Sequence, residues 1–94
     1  MWDAALNFVD EKVQELKHIG FGRLTKHPYC SELRESNTDV TFTLFADPRS
    51  ETMIRVVVRA QTTAPIGRSF AHGFDLHRDG RIGGLSAAEL GAFE

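Results

Sequence analysis

The side chains best suited to chemistry at neutral pH are four histidines and one cysteine. His72 lies in an aromatic stretch, two residues after Phe70 and two before Phe74. A histidine there could accept or donate a proton, since imidazole exchanges its proton near neutral pH. No carboxylate is expected beside it, and the sequence favours a histidine in the core or at its rim with one hydrogen bond to the backbone.

The stretch "FDLHRDGRI", residues 74–82, admits two interpretations. As a calcium loop it would place Asp75, Asp79 and Gly80 at positions one, five and six. Position twelve would then fall on Ser86, which cannot supply the bidentate carboxylate that this motif requires. We therefore expect two strands and a turn, with Asp75 beside an arginine in a surface ion-pair cluster.

The other candidates for chemistry are weaker. His27 and Cys30 are three residues apart but lack an oriented third partner, which favours a small buried thiol. The histidines do not have the spacing of a metal motif, and the chain has neither a glycine-rich phosphate loop nor a serine nucleophile motif. We expect no metal, no cofactor and no catalytic residue, and lean against an enzyme.

Composition narrows the class of protein further. The 94 residues are 41% hydrophobic with a net charge of −2, which argues against a nucleic-acid binder. One cysteine cannot form an internal disulfide, and no apolar run approaches the length of a membrane span. The acidic N-terminus does not resemble a signal peptide. These features predict a single domain, 1–94, that is cytoplasmic and does not bind membranes.

Hydrophobic periodicity changes once along the chain. Apolar residues three or four positions apart predict a helix over about 3–18, which Gly20 ends. Pro28 suits the first turn of a short second helix over about 28–35. From Val40 the period is two, which predicts four antiparallel strands in a meander, over about 40–46, 53–62, 68–77 and 81–85.

The turn near Asp79 can be predicted in detail. A three-residue loop, residues 78–80 with Gly80 left-handed, pairs His77 with Arg81 and Leu76 with Ile82. Ser86 and Glu89 then form the capping box of a short C-terminal helix. Together these elements predict an α+β two-layer sandwich, with the first helix packed across one apolar face of the sheet.

The segment "MIRVVVRAQTTAPIGRSFAHGFDLHRDGRIGGL" resembles the C-terminal part of the NTF2-like superfamily, which includes polyketide-cyclase-like and ketosteroid-isomerase-like proteins. The resemblance covers residues 53–85, about a third of the chain. It implies a curved sheet backed by a helix, dimerisation through the sheet, and in some members a pocket for an apolar small molecule. It carries over no catalytic residue. The pocket residues expected here are Trp2, Tyr29, Phe42, Phe70, His72 and Phe74.

The opposite face of the sheet suggests an interface. Its β-branched and aromatic side chains, rimmed by arginines, are typical of an exposed patch that binds another chain. The residues expected there are Thr41, Thr43, Phe45, Arg55, Val57 and Arg59. We therefore expect a small non-catalytic interaction module that forms a homodimer or binds a protein partner through its sheet. The alternative is an NTF2-like protein or enzyme that binds a small molecule in a shallow apolar pocket.

Overall fold

The computed structural model describes residues 2–33, 40–62 and 67–93 as an α+β fold. The elements follow in the order α1 (Trp2–Leu16), α2 (Phe21–Leu24), β1 (Cys30–Leu33), β2 (Val40–Ser50), β3 (Met53–Thr62), β4 (Ser69–His77), β5 (Ile82–Gly84) and α3 (Ala87–Gly91). The strands form one antiparallel sheet in the order β1-β2-β3-β4-β5. In the described ranges, no helix has the length and apolar character of a membrane span.

The first helix packs on the sheet as its apolar stripe predicts. Val9 and Val13 on α1 are almost completely buried, and they share one core with the inward residues of the sheet. The alternation in β2, β3 and β4 places Phe42, Val56 and Phe74 in that core. The predicted α+β class and the packing of the first helix across one face of the sheet are therefore confirmed.

The prediction of a helix over about 28–35 is wrong for residues 28–33, the part of this range that the structure describes. Residues Cys30–Leu33 form an edge strand antiparallel to β2, with Leu33 opposite Phe42. Pro28 is compatible with a helix start, but pairing with the exposed edge of β2 and burial of Leu33 against the core outweigh that local preference. A short helix forms before this region instead: α2 has four residues and follows Gly20, whose φ is +100°.

The strand predicted over about 40–46 is longer in the structure and runs to Ser50. Pro48 was expected in the turn but lies within β2. The Ala46 N–H faces the β1 side of β2 and donates to the Tyr29 carbonyl, just before β1. By alternation, the backbone of Pro48 faces the same side, but it lies past the end of the pairing with β1. Its missing N–H therefore leaves no ladder bond broken.

The hairpin between β4 and β5 is confirmed as predicted. Leu76 lies opposite Ile82, the His77 N–H donates to the Arg81 carbonyl at 2.8 Å, and Gly80 has a φ of +96°. The capping box of α3 is also present: Ser86 Oγ accepts from the Glu89 N–H, and a Glu89 carboxylate oxygen accepts from the Ser86 N–H. Both features are local, so the sequence alone specifies them.

Candidate functional site

The predicted pocket residues that the structure describes are divided between the core and the surface. Phe42 and Phe74 are each 1% exposed and belong to the core beneath α1. Phe70 packs partly buried against the same core. Tyr29 is instead 55% exposed, with its ring centroid 6.1 Å from that of Phe45. The side chain of Trp2 lies outside the described residues.

His72 is at the rim of this layer, and it has a carboxylate partner. Its Nδ1 lies 3.0 Å from Oδ1 of Asp10 on α1, although no acid was expected near it. The two side chains are 41% and 61% exposed, so water surrounds much of the pair. Sequence reasoning missed Asp10 because the contact joins residues 62 positions apart and depends on how α1 lies across β4.

The outer face of the sheet is covered by the chain's own C-terminal segment. Phe93 packs on Phe45 and Val57, with ring centroids of the two phenylalanines 5.2 Å apart. Leu85 and Leu90 complete this second cluster. The exposed patch expected from the sequence is therefore wrong. Of the six predicted interface residues, Thr43, Phe45, Arg55 and Val57 are buried, and Thr41 and Arg59 are half-buried.

Two arginines fasten this segment to the sheet. Arg55 makes a two-pronged contact with Asp75, at 2.8 and 3.0 Å, and donates to Glu89 at 2.7 Å. The Asp75 hydrogen bonds raise the pKa of Arg55 above its ordinary value. The pairing of Asp75 with an arginine is as predicted, but the side chains are only 10% and 13% exposed, so it is more than a surface contact.

Arg59 holds the end of the chain. Its guanidinium carbon lies 5.0 Å from the centre of the Phe45 ring, and its Nη1 donates to the Phe93 carbonyl at 3.2 Å. Its Nε is buried and has no hydrogen-bond partner in the described part of the chain. Arg59 therefore helps to hold Phe93 over the outer face, although this position leaves its Nε without a hydrogen bond to the described residues.

The C-terminal segment also covers one edge of the sheet. β5 pairs with only Phe74–Leu76 of β4, so the preceding part of β4 has no strand beside it among the described residues. Ala71 is nevertheless 3% exposed, and Gly73 is buried. Because α3 and Leu85 pack beside them, this edge is closed without a strand.

Within the described residues, no strand pairs with the other edge of β1. Ser31 and Leu33 point their backbone groups toward β2, since the neighbouring Tyr29 carbonyl accepts from the Ala46 N–H. By alternation, the backbone groups of Cys30 and Glu32 point away from the sheet. Both residues are exposed. Cys30 was expected to be buried; it is exposed because residue 30 lies at the start of an edge strand.

A basic hollow lies next to the start of β1. The hollow of about 330 Å³ is lined by Arg23, Lys26, His27 and Pro28. These side chains come from α2 and the loop after it, and all are exposed. At the β4–β5 turn, by contrast, a hollow that includes Arg78 and Arg81 also contains Asp79, which pairs with Arg81 at 2.8 Å. The backbone N–H of Arg81 lowers the pKa of Asp79.

The described residues contain no group of three or more histidine, cysteine or acidic side chains placed to hold a metal ion. Comparison with protein-family models, with curated proteins and with solved structures found no match. The geometry of the edges and faces is therefore the basis for a functional proposal.

Proposed function

We propose that this chain is a non-catalytic protein-interaction module that binds an extended segment of another polypeptide as an added strand beside β1. The observation that supports it is that β1, among the residues the structure describes, has no strand on its outer edge, whereas the faces of the sheet are covered. Helix α1 covers the inner face, while α3 and Phe93 cover the centre of the outer face and the exposed side of β4. Strand addition uses backbone groups that a sheet edge presents already aligned.

The edge of β5, at the other end of the described sheet, is less suited to strand addition. β5 is three residues long and contains two glycines, so it offers little side-chain surface to a partner. The residue just before β1 is Tyr29, and its ring is exposed. An added strand at β1 would bond to the backbone of Cys30 and Glu32 and contact that ring, so hydrogen bonds and apolar burial would act together.

Titration with an uncharged probe peptide, acetyl-Thr-Val-Thr-Val-Thr-amide, tests this proposal, with the protein's backbone amides observed by NMR. We expect saturable shifts and slower amide exchange at Cys30 and Glu32. Glu32→Pro should abolish both effects, because it removes an N–H that points away from the sheet and keeps the β1–β2 bonds. Unchanged binding by Glu32→Pro, or shifts confined to other elements, would overturn the proposal.

A second copy of the chain is the competing occupant of the same edge. Sedimentation at increasing protein concentration separates the two cases. A monomer that binds the peptide supports the proposal, whereas a dimer that Glu32→Pro converts to a monomer assigns the edge to self-association. In that case the expected homodimer forms through β1 and not through the outer face.

One observation favours the NTF2-like alternative, the His72–Asp10 pair on the inner rim. A hydrogen-bonded histidine and carboxylate can transfer a proton to or from a bound ligand. Against it, Phe42, Phe74, Val9 and Val13 fill the layer where a ligand would lie. A thermal-shift screen with apolar ligands tests it: saturable stabilisation that is lost in His72→Ala would favour this alternative over the interaction module.

A further inference from the structure

We infer that the partner segment is acidic and that its carboxylates bind in the basic hollow formed by Arg23, Lys26, His27 and Pro28. This inference rests on the proposed function, because it assigns the chemistry of the strand added at β1. Pro28 lines the hollow and Cys30 begins the strand, so the two sites are two residues apart, or about 7 Å along an extended chain. One peptide can therefore occupy both sites.

The charges of the hollow are not neutralised within the described residues. Arg23, Lys26 and His27 make no ion pair there, while Arg49, Arg55 and Arg81 each have an acidic partner. The chain as a whole has a net charge of −2, so this basic group is local and is not part of a generally basic surface. Carboxylates are the anions that a polypeptide supplies, and arginine and lysine bind them by charge-assisted hydrogen bonds.

The direction of the added strand fixes where the acids must be. Every strand pair in the sheet is antiparallel, and a strand added to β1 in the same way runs from beside Leu33 toward Cys30. Its C-terminal end then reaches the hollow. The partner segment should therefore have alternating β-branched residues first and acidic residues after them.

Three probe peptides test this order directly. The first is acetyl-Thr-Val-Thr-Val-Thr-Asp-Glu-Asp-amide, the second has the same residues in reverse order, and the third replaces the acids with Asn and Gln. We expect the first to bind about tenfold more tightly than the other two, with the difference shrinking at high salt. Amide shifts should appear both at Cys30 and Glu32 and around Lys26.

Paired variants identify the residues responsible. The double variant Arg23→Glu with Lys26→Glu should remove the preference for the first peptide and leave binding of the neutral peptide unchanged. Arg78→Glu is the matched control, because Arg78 is an exposed arginine in the β4–β5 turn, and it should change neither. Circular dichroism and urea unfolding of each variant confirm that the fold is intact.

The outcomes separate this inference from the proposed function. If all three peptides bind equally at the β1 edge, the acidic partner is wrong and the interaction module stands. If the reverse-order peptide binds best, or acidic peptides bind the hollow with no shift in β1, the inference is overturned. If no peptide changes Cys30 or Glu32, the strand-addition function itself fails.

Discussion

At the scale of single residues, the fold is most sensitive where a substitution would place an atom against the backbone or remove a partner from a buried ion pair. Gly73 is the clearest case. A Cβ atom built at Gly73 would lie 2.1 Å from the carbonyl oxygen of Val56 and 2.8 Å from Cα of Val57. The obstacle is backbone of the neighbouring strand, so it cannot rotate away as a side chain would. The sequence gives no sign of this, because a glycine in a strand is equally typical of a bulge or a bend.

Gly73→Ala should lower the free energy of unfolding by about 3 kcal/mol or more, as expected when extra volume is forced into a packed interior. Gly84→Ala is the control, since a Cβ there would meet nothing within 4 Å. Urea unfolding followed by circular dichroism measures both. A Gly73→Ala protein as stable as Gly84→Ala would contradict the close approach of β4 to β3.

The Arg55–Asp75 pair should couple strongly in a double-mutant cycle. Arg55→Met leaves the mostly buried Asp75 carboxylate without its arginine, and Asp75→Asn leaves Arg55 paired with Glu89 but not with Asp75. Each substitution should therefore cost about 2–3 kcal/mol. The double variant should cost much less than the sum. Additive losses in urea unfolding would show that the two side chains do not share one contact.

At the scale of elements, the sequence predicts what is set by neighbours along the chain and fails where distant residues decide. The stripe of α1, the Gly80 turn and the capping box of α3 are all local patterns, and each is confirmed. The strand β1 was mistaken for a helix because its partner, β2, is what makes it extended. The role of the C-terminal segment was missed as well: Leu90 in α3 and Phe93 after it are too few to indicate that they cover the sheet.

The attachment of α3 should weaken in acid. The Ser86 backbone N–H, and after it the Ser86 side chain and Arg55, lowers the pKa of Glu89 below its ordinary 4.5. Because this pKa is lower in the folded chain than in the unfolded chain, the carboxylate stabilises the fold above pH 4.5. That contribution is lost as the pH falls through the lowered folded value.

Glu89→Gln should therefore be less stable than the wild-type protein near neutral pH, and the difference should vanish in strong acid. Urea unfolding of both proteins from about pH 7 to about pH 3 measures it. A difference that stays constant over this range would mean that Glu89 acts through its shape or its hydrogen bonds and not through its charge.

At the scale of the whole molecule, the chain closes most of a five-stranded sheet with only 94 residues. The predicted interface assumed that the outer face of the sheet stayed uncovered, and the predicted pocket assumed a hollow on the inner face. The structure packs α1 on the inner face and the C-terminal segment on the outer face. The sequence established the class of the fold and which side chains face inward. It could not show which surfaces remained open, since that depends on where the two ends of the chain pack.

Release of the C-terminal segment should therefore turn the molecule into a self-associating one. Phe93→Asp would place a charge against Phe45 and Val57, detach α3 and uncover the side of β4. We expect light scattering to show an increase in mass. Ala88→Asp, at an exposed position of the same helix, is the control and should remain as the wild-type protein. A Phe93→Asp protein of unchanged mass would mean that the outer face is protected by other means.

The packing of α1 also has a consequence for synthesis on the ribosome. The helix is made before β3 and β4, the strands on which it packs, and β4 ends at His77. Until those strands emerge, the apolar stripe of α1 has no native surface to bury, and a nascent chain must carry it exposed. Native packing of this helix is therefore a late event. Before it, the exposed apolar stripe is the surface of the new chain that a chaperone would bind.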